Sequence, residues 1–178
     1  DALSRVGGMF GAGNLPLVSK TFVYTLQNYG FVLLIGIIGA TPLVVKGVVC
    51  RSLYCQPDHR PSSDEDVLIP AQQFALCHSV LTDFGMATTE AEETLASAYE
   101  VPYRKAGSPL YIELHKSLFP PESDAYGDMN RFFENVGERA VALQIQGRTV
   151  YTMCPTDHLF YLLCHAFKHF LHSGFGIR

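Results

Sequence analysis

Two short apolar runs do most to limit what this chain can fold into. Leu-Val-Val at positions 43–45 lies between Pro42 and Gly47, and the run at positions 64–69 opens with Asp-Glu-Asp and ends before Pro70. Short, partly β-branched apolar runs that stop at glycine or proline are typical of buried strands. The two runs therefore predict two strands, joined by a turn at Gly47, a short helix over residues 48–54 and a polar loop over residues 56–63.

The rest of the chain predicts further helices and two hairpins. Apolar residues recur at three and four positions over residues 15–29, 71–84 and 157–172, which predicts helices, the last with Thr156 as its N-cap. Apolar alternation predicts antiparallel hairpins, one at 98–103 with 110–115 and one at 140–145 with 148–151. Between these elements we expect a glycine-rich lead-in at 1–14, an exposed acidic segment at 88–95 and a loop at 117–128.

Composition limits the function classes. Of 178 residues, 48% are hydrophobic and 17% are charged, so the chain can bury a core. The net charge of -4 gives no overall attraction to nucleic acid, although a local basic patch stays open. Five cysteines without a close pair favour reduced thiols in a cytoplasmic protein. The uncharged run at 31–45 is interrupted by glycines and a proline, and a membrane span needs about 20 apolar residues. We therefore expect no membrane association.

Two carboxylates on the second strand are the first candidates for chemistry. Side chains alternate along a strand, so Asp64 and Asp66 project to the same side, about 6 to 7 Å apart. Paired carboxylates of this kind can hold the divalent cations of a phosphoryl transfer site. Glu113, on the same strand face as Tyr111 and His115, is the expected third acid from a neighbouring strand. The alternative is that these acids are solvated strand residues without a metal.

Lys46 and Gly47 are candidates for binding phosphate. Glycine lets backbone amides approach a phosphate at the start of a helix, and a lysine neutralises the phosphate charge. The alternative is a glycine that only permits a tight turn, with Lys46 facing solvent. The residue pattern by itself leaves both open.

Taken in order, these motifs resemble one family. Lys46-Gly47, Arg60, Asp64-Glu65-Asp66, Ile112-Glu113-Leu114-His115, His165 to His169 and Gly174 to Arg178 are similar to the uncharacterised nucleotidyltransferase family of the DNA polymerase beta-like superfamily. The resemblance implies an α+β nucleotidyltransferase fold: a small mixed sheet flanked by helices, with a mostly helical C-terminal part. It implies a lead-in over residues 1–41, a core over 42–116 and a segment over 117–178 that closes the cleft.

The resemblance also implies an activity and a site. The expected reaction moves a nucleoside monophosphate from an NTP to an acceptor and releases pyrophosphate, with Mg²⁺ or Mn²⁺ as cofactor. The metal-binding and catalytic residues would be Asp64, Asp66 and Glu113. The nucleotide-binding residues would be Lys46, Gly47, Arg60, Ser63, Lys168 and Arg178. The base, the oligomeric state and the acceptor stay open; the acceptor could be a protein, an RNA or a small molecule.

Three departures from the family pattern are visible. The usual Gly-Ser is Gly47-Val48 here, with Ser52 or Ser63 as candidate substitutes, and Glu65 takes a usually apolar position. A further helical portion would be expected after Arg178, so the chain could be a piece of a longer protein.

Two alternatives to the enzyme remain. A module of this fold that binds a nucleotide without catalysis is the first. The second is a zinc protein that uses the face formed by His158, His165, His169 and His172, because HxxxH on a helix can bind zinc when a third ligand is supplied.

Overall fold

The computed structural model describes residues 42–60, 62, 64–108, 111–145 and 147–173. The predicted lead-in and helix at residues 1–41 lie outside this part of the chain, as do Ser63 and Arg178. The division at residues 41 and 116 stays a prediction.

The main sheet has four strands in the order β1-β2-β4-β3. The strands are β1 (Leu43–Val44), β2 (Glu65–Leu68), β3 (Glu100–Arg104) and β4 (Tyr111–His115). β2 and β4 are parallel, whereas β1 with β2 and β3 with β4 are antiparallel. The predicted strands, the first hairpin and the small mixed sheet are confirmed. The parallel pair matters most, because its register places Asp66 beside Glu113.

Helices pack on both faces of this sheet. The described helices are α1 (Val48–Ser52), α2 (Phe74–Asp83), α3 (Glu92–Leu95) and α4 (Pro155–Ser173). Cys77 and Leu81 of α2 pack against Val67, Ile112 and Leu114, and all five side chains are fully buried. The opposite face, from which Asp66 and Glu113 project, is therefore the face available for a site.

Two sequence predictions need correction. α4 begins at Pro155, so Thr156 lies in its first turn and is not its N-cap. Proline is favoured at the first helical position because its missing N–H has no partner there in any case. Residues 89–94 of the acidic segment are exposed, but Thr88 is partly buried and Leu95 packs into the core under the sheet.

The described structure is completed by a second hairpin, α4 and four 3₁₀ segments, at Pro57–His59, Ala71–Gln73, Gly127–Phe133 and Val136–Arg139. β5 (Val141–Ile145) and β6 (Arg148–Thr152) pair antiparallel, as predicted, and the Thr152 hydroxyl donates to the Val44 carbonyl at 2.6 Å. Tyr161 and Cys164 of α4 pack with Leu43 and Phe119 in a second core. α4 thus covers the sheet near β1, beside the carboxylates of β2.

Two further features bear on the environment of the protein. The five cysteines are free, and Cys55 is exposed. Within the described residues, none of the helices combines the length and apolar character that crossing a membrane requires.

Candidate active site

Asp66 and Glu113 form the centre of the candidate site. The register of the parallel strands pairs them directly, and both project from the face opposite α2. Asp66 is 1% exposed, whereas Glu113 is 22% exposed. Asp64, two residues before Asp66 and on the same face, is 26% exposed. The three predicted carboxylates therefore lie on one face of the sheet, two of them within reach of solvent.

Lys46 lies between two of these carboxylates. Its Nζ is 2.9 Å from Asp66 Oδ2 and 3.7 Å from Asp64 Oδ2. Burial by itself would lower the pKa of Lys46, but the charges of the two aspartates outweigh burial and raise it. The lysine is held on the aspartates and is largely withdrawn from solvent, so it does not simply face solvent. Its predicted contact with a phosphate stays a prediction.

His115 is a member of the site that was predicted only as a neighbour of Glu113. Its Nε2 is 3.2 Å from Asp66 Oδ1 and 3.8 Å from Glu113 Oε2, and its Nδ1 is 3.6 Å from Glu100 Oε2. The alternation that puts Glu113 on the open face puts His115 there also, so the signal was present in the sequence. What alternation does not show is that the ring turns toward Asp66.

The two central carboxyl groups have opposite electrostatic environments. For Asp66, burial opposes ionisation, but the hydrogen bond and charge of His115 and the charge of Lys46 hold the pKa well below its usual range. For Glu113, burial and the neighbouring charge of Asp66 raise the pKa to about 7. Ligand atoms of Asp66, Glu113 and His115 all lie within 4.8 Å of one another, which makes them a candidate site for a divalent cation.

Glu65 projects to the other side of β2 and has a different partner. Its carboxylate accepts a hydrogen bond from the Val48 amide at 2.7 Å and pairs with Arg51, and both charged side chains are buried. The unusual acid between Asp64 and Asp66 is therefore the partner of a buried arginine. It adds no negative charge to the open face.

The Gly47 turn lies against this pair. Gly47 has φ 61°, and a Cβ built there would overlap the Glu65 carboxylate. The amide of Val48, which the sequence pattern offers to a phosphate, already donates to Glu65. A phosphate contact at Gly47 stays a prediction.

The other predicted nucleotide contacts are dispersed. Arg60 is partly buried, and its Nη1 has no hydrogen-bond partner within the described residues. Lys168 Nζ lies 3.2 Å from the Tyr99 hydroxyl, not on the aspartates. Ser52 donates to the Val49 carbonyl at 2.7 Å, so its hydroxyl is used within α1.

The histidines of α4 have partners other than a metal. His158 Nε2 donates to the Val45 carbonyl at 2.8 Å, and His165 Nε2 lies 3.3 Å from Lys46 Nζ. Burial, with a smaller contribution from Lys46, lowers the pKa of His165 to about 3, so its neutral ring accepts from the ammonium. The rings of His165 and His169 are 4.5 Å apart, but no third potential ligand joins them in the described part of the chain.

A cavity adjoins Glu113 at the β3 edge of the sheet. Its volume is about 300 Å³, and it is lined by Glu90, Ala98, Tyr99, Glu100, Pro102, Tyr111 and Glu113. Three carboxylates and two tyrosine rings make this cavity acidic and aromatic.

Comparison with known proteins bears on the fold and the family. The sequence model of the uncharacterised nucleotidyltransferase family matches residues 38–178. The fold is similar to the crystal structure of the lincosamide antibiotic adenylyltransferase LnuA with lincomycin bound, with a TM-score of 0.54 and 16% sequence identity. That match covers 88% of this chain and 98% of the LnuA chain. Comparison with the curated proteins gave no match. Because the family match covers most of the chain, this protein is a transferase that belongs to the uncharacterised nucleotidyltransferase family.

Proposed function

We propose that this protein transfers a nucleoside monophosphate from an NTP to a hydroxyl-bearing acceptor, releasing pyrophosphate, with Mg²⁺ or Mn²⁺ bound at Asp64, Asp66 and Glu113. The observation that carries the proposal is the pairing of Asp66 with Glu113 on adjacent parallel strands, on the face opposite α2. Carboxylate oxygens are the ligands that these ions prefer, and the register brings two carboxylates side by side.

The residues present fit a cation. The ammonium of Lys46 lies between Asp64 and Asp66, so these carboxylates already hold a positive charge, and a divalent ion bound there would displace the ammonium toward the phosphates. A bound divalent ion would neutralise phosphate charge and polarise the phosphorus that is attacked. Asp66 is the ionised, buried member, held in place by Lys46 and His115. Glu113 faces the adjoining cavity and is placed to receive the proton of an acceptor hydroxyl.

Charge distinguishes the two substrate positions. The cavity beside Glu113 is lined by three glutamates, which would repel a triphosphate, so we assign it to the acceptor. Lys46 and Arg60 are the basic residues assigned to the triphosphate. Lys168 contacts Tyr99, which lines the cavity, so its assignment to the nucleotide rests on family resemblance alone. Gly47, Ser63 and Arg178 are assigned to the nucleotide by family resemblance alone.

The cavity accommodates a small acceptor or one group of a larger acceptor. A volume of about 300 Å³ suits a molecule of one or two rings. LnuA, whose fold is similar, is described as an antibiotic adenylyltransferase, but 16% identity carries no acceptor identity over to this chain. A protein side chain or an RNA end that inserts a single hydroxyl group stays open, as does a cytoplasmic location.

The deciding experiment measures pyrophosphate release and label transfer. Each of the four radiolabelled NTPs is offered with Mg²⁺ or Mn²⁺ and a cell extract as acceptor pool. We expect transfer by the wild type and a loss of about 100-fold or more in Asp66→Asn and Glu113→Gln.

Glu138→Gln removes the same type of group from an exposed segment and serves as the matched control. Equal transfer by Asp66→Asn and wild type would overturn the proposal. NTP binding without transfer by the wild type would instead favour the non-catalytic module.

A further inference from the structure

His115 is placed like a metal ligand. Its Nε2 lies 3.2 Å from Asp66 Oδ1 and 3.8 Å from Glu113 Oε2. Two ligands of one ion, each about 2.1 Å from it, are at most about 4.2 Å apart. Both distances fall below this limit, so an ion can contact His115 together with either carboxylate without movement of the backbone.

The far side of the ring faces a carboxylate that could become the second partner of a ligating histidine. Nδ1 is buried and forms no hydrogen bond within the described residues, and Glu100 Oε2 lies 3.6 Å away. A ligating histidine normally donates its second N–H to a carboxylate or carbonyl, which fixes the tautomer and turns the other nitrogen toward the metal. A small rotation of the partly exposed Glu100 side chain would complete this arrangement.

We propose that His115 is a nitrogen ligand of the catalytic cation, oriented by Glu100, so that the site is Asp66, Glu113 and His115 with Asp64 at its edge. This inference rests on the proposed function, since it specifies the ligands of the same metal site. An imidazole ligand favours Mn²⁺ and other transition ions over Mg²⁺, which prefers oxygen. The protein should therefore bind Mn²⁺ more tightly than Mg²⁺ by a margin that depends on His115.

The competing role is purely structural. His115 could hold Asp66 by a hydrogen bond from Nε2 and never contact a metal. In that case its replacement would weaken the binding of both ions equally, because only the position of Asp66 would change.

The test uses Mn²⁺ alone as the probe. Pulsed electron paramagnetic resonance of the Mn²⁺-loaded wild type should show coupling to nitrogen, and labelling of histidine with ¹⁵N should change that coupling. The signal should disappear in His115→Gln and persist in His78→Gln. His78 is a matched control because it lies on α2, across the sheet from the site, and contacts Tyr103.

Calorimetry separates ligation from positioning. We expect His115→Gln to lower Mn²⁺ affinity about 10- to 100-fold with a smaller loss for Mg²⁺, and Glu100→Gln to lower Mn²⁺ affinity about tenfold. Mn²⁺ binding without histidine coupling, or equal losses for both ions, would overturn the role of His115 and leave the proposed function intact. No Mn²⁺ binding and no transfer by the wild type would defeat both. An absence of histidine coupling in the wild-type spectrum overturns the role of His115 even where a variant fails to fold.

Discussion

Position 47 requires glycine for two separate reasons. The backbone has φ 61°, a region that other residues occupy only with strain, and the Glu65 carboxylate fills the space in which a Cβ would lie. Glycine was predicted here for its approach to a phosphate. In the structure the closest anion is a carboxylate of the protein itself.

Gly47→Ala should therefore destabilise the protein by about 3 kcal/mol, since it adds backbone strain and displaces a buried hydrogen-bonded carboxylate. Gly147→Ala is the control, because Gly147 also has positive φ (74°), but no atom of the residues that the structure describes lies within 4 Å of an added Cβ. It should cost about 1 kcal/mol. Urea unfolding measures both, and equal costs would show that the contact with Glu65 is unimportant.

His165 should remain neutral in the folded protein. Burial and Lys46 lower its pKa from 6.5 to about 3, so below pH 6.5 the unfolded chain binds a proton there that the folded chain does not. Stability due to this residue is thus present above pH 6.5 and declines as the pH falls toward 3.

In ¹H–¹³C spectra, the His165 ring signals should not shift between about pH 8 and about pH 5. The signals that are missing from the spectrum of His165→Gln are those of His165. When the pH is lowered over the same range, the free energy of unfolding should fall less in His165→Gln than in the wild type. A His165 ring that titrates near pH 6.5 would contradict the expectation.

At the level of elements, the buried Arg51–Glu65 pair joins α1 to β2. Both side chains are almost fully withdrawn from water, and Glu65 also accepts from the first amide of α1. The pair fixes where α1 starts relative to the strand that carries Asp64 and Asp66. α4 closes the opposite side through contacts of His158 with Val45 and of His165 with Lys46.

Arg51→Met should destabilise the protein by about 3 to 5 kcal/mol, because it leaves the Glu65 charge buried without its arginine. Arg51→Met with Glu65→Gln should recover part of that loss, since the amide oxygen still accepts from Val48 and no charge remains. Denaturant unfolding of the single and double variants tests this. A double variant as unstable as the sum of the two singles would show that the charges do not interact.

At the level of the whole molecule, substrate and metal should stabilise the fold at one place, the face between the main sheet and α4. A ligand present at about 100 times its dissociation constant raises the free energy of unfolding by about 2.7 kcal/mol. For a protein of this size, that corresponds to a rise of roughly 5 to 10 °C in Tm. We expect this rise with Mn²⁺ and the preferred NTP together, and its reversal by EDTA.

Asp66→Asn should lose that rise and Glu138→Gln should keep it, as measured by thermal unfolding. A similar rise in Asp66→Asn would mean that the ligands bind away from the carboxylates.

Much of the architecture was predictable because it depends on local patterns. The strands at 43–45 and 64–69, the helix at 71–84, both hairpins and the long C-terminal helix follow from apolar periodicity, glycine and proline. Alternation alone put Asp64 with Asp66, and Glu113 with His115, on common faces. The start of α4 was predicted wrongly, with Thr156 as the N-cap, because a proline can end one element and can also occupy the first position of the next helix.

The sequence by itself determined the order of the elements and which side chains share a face, because both depend on spacing along the chain. Only the tertiary structure decided that Glu65 pairs with Arg51, that Lys46 lies between two aspartates, and that His115 turns toward Asp66. These contacts join residues 14 to 49 positions apart. Their geometry depends on the parallel register of β2 with β4 and on the burial of charges, which no local pattern specifies.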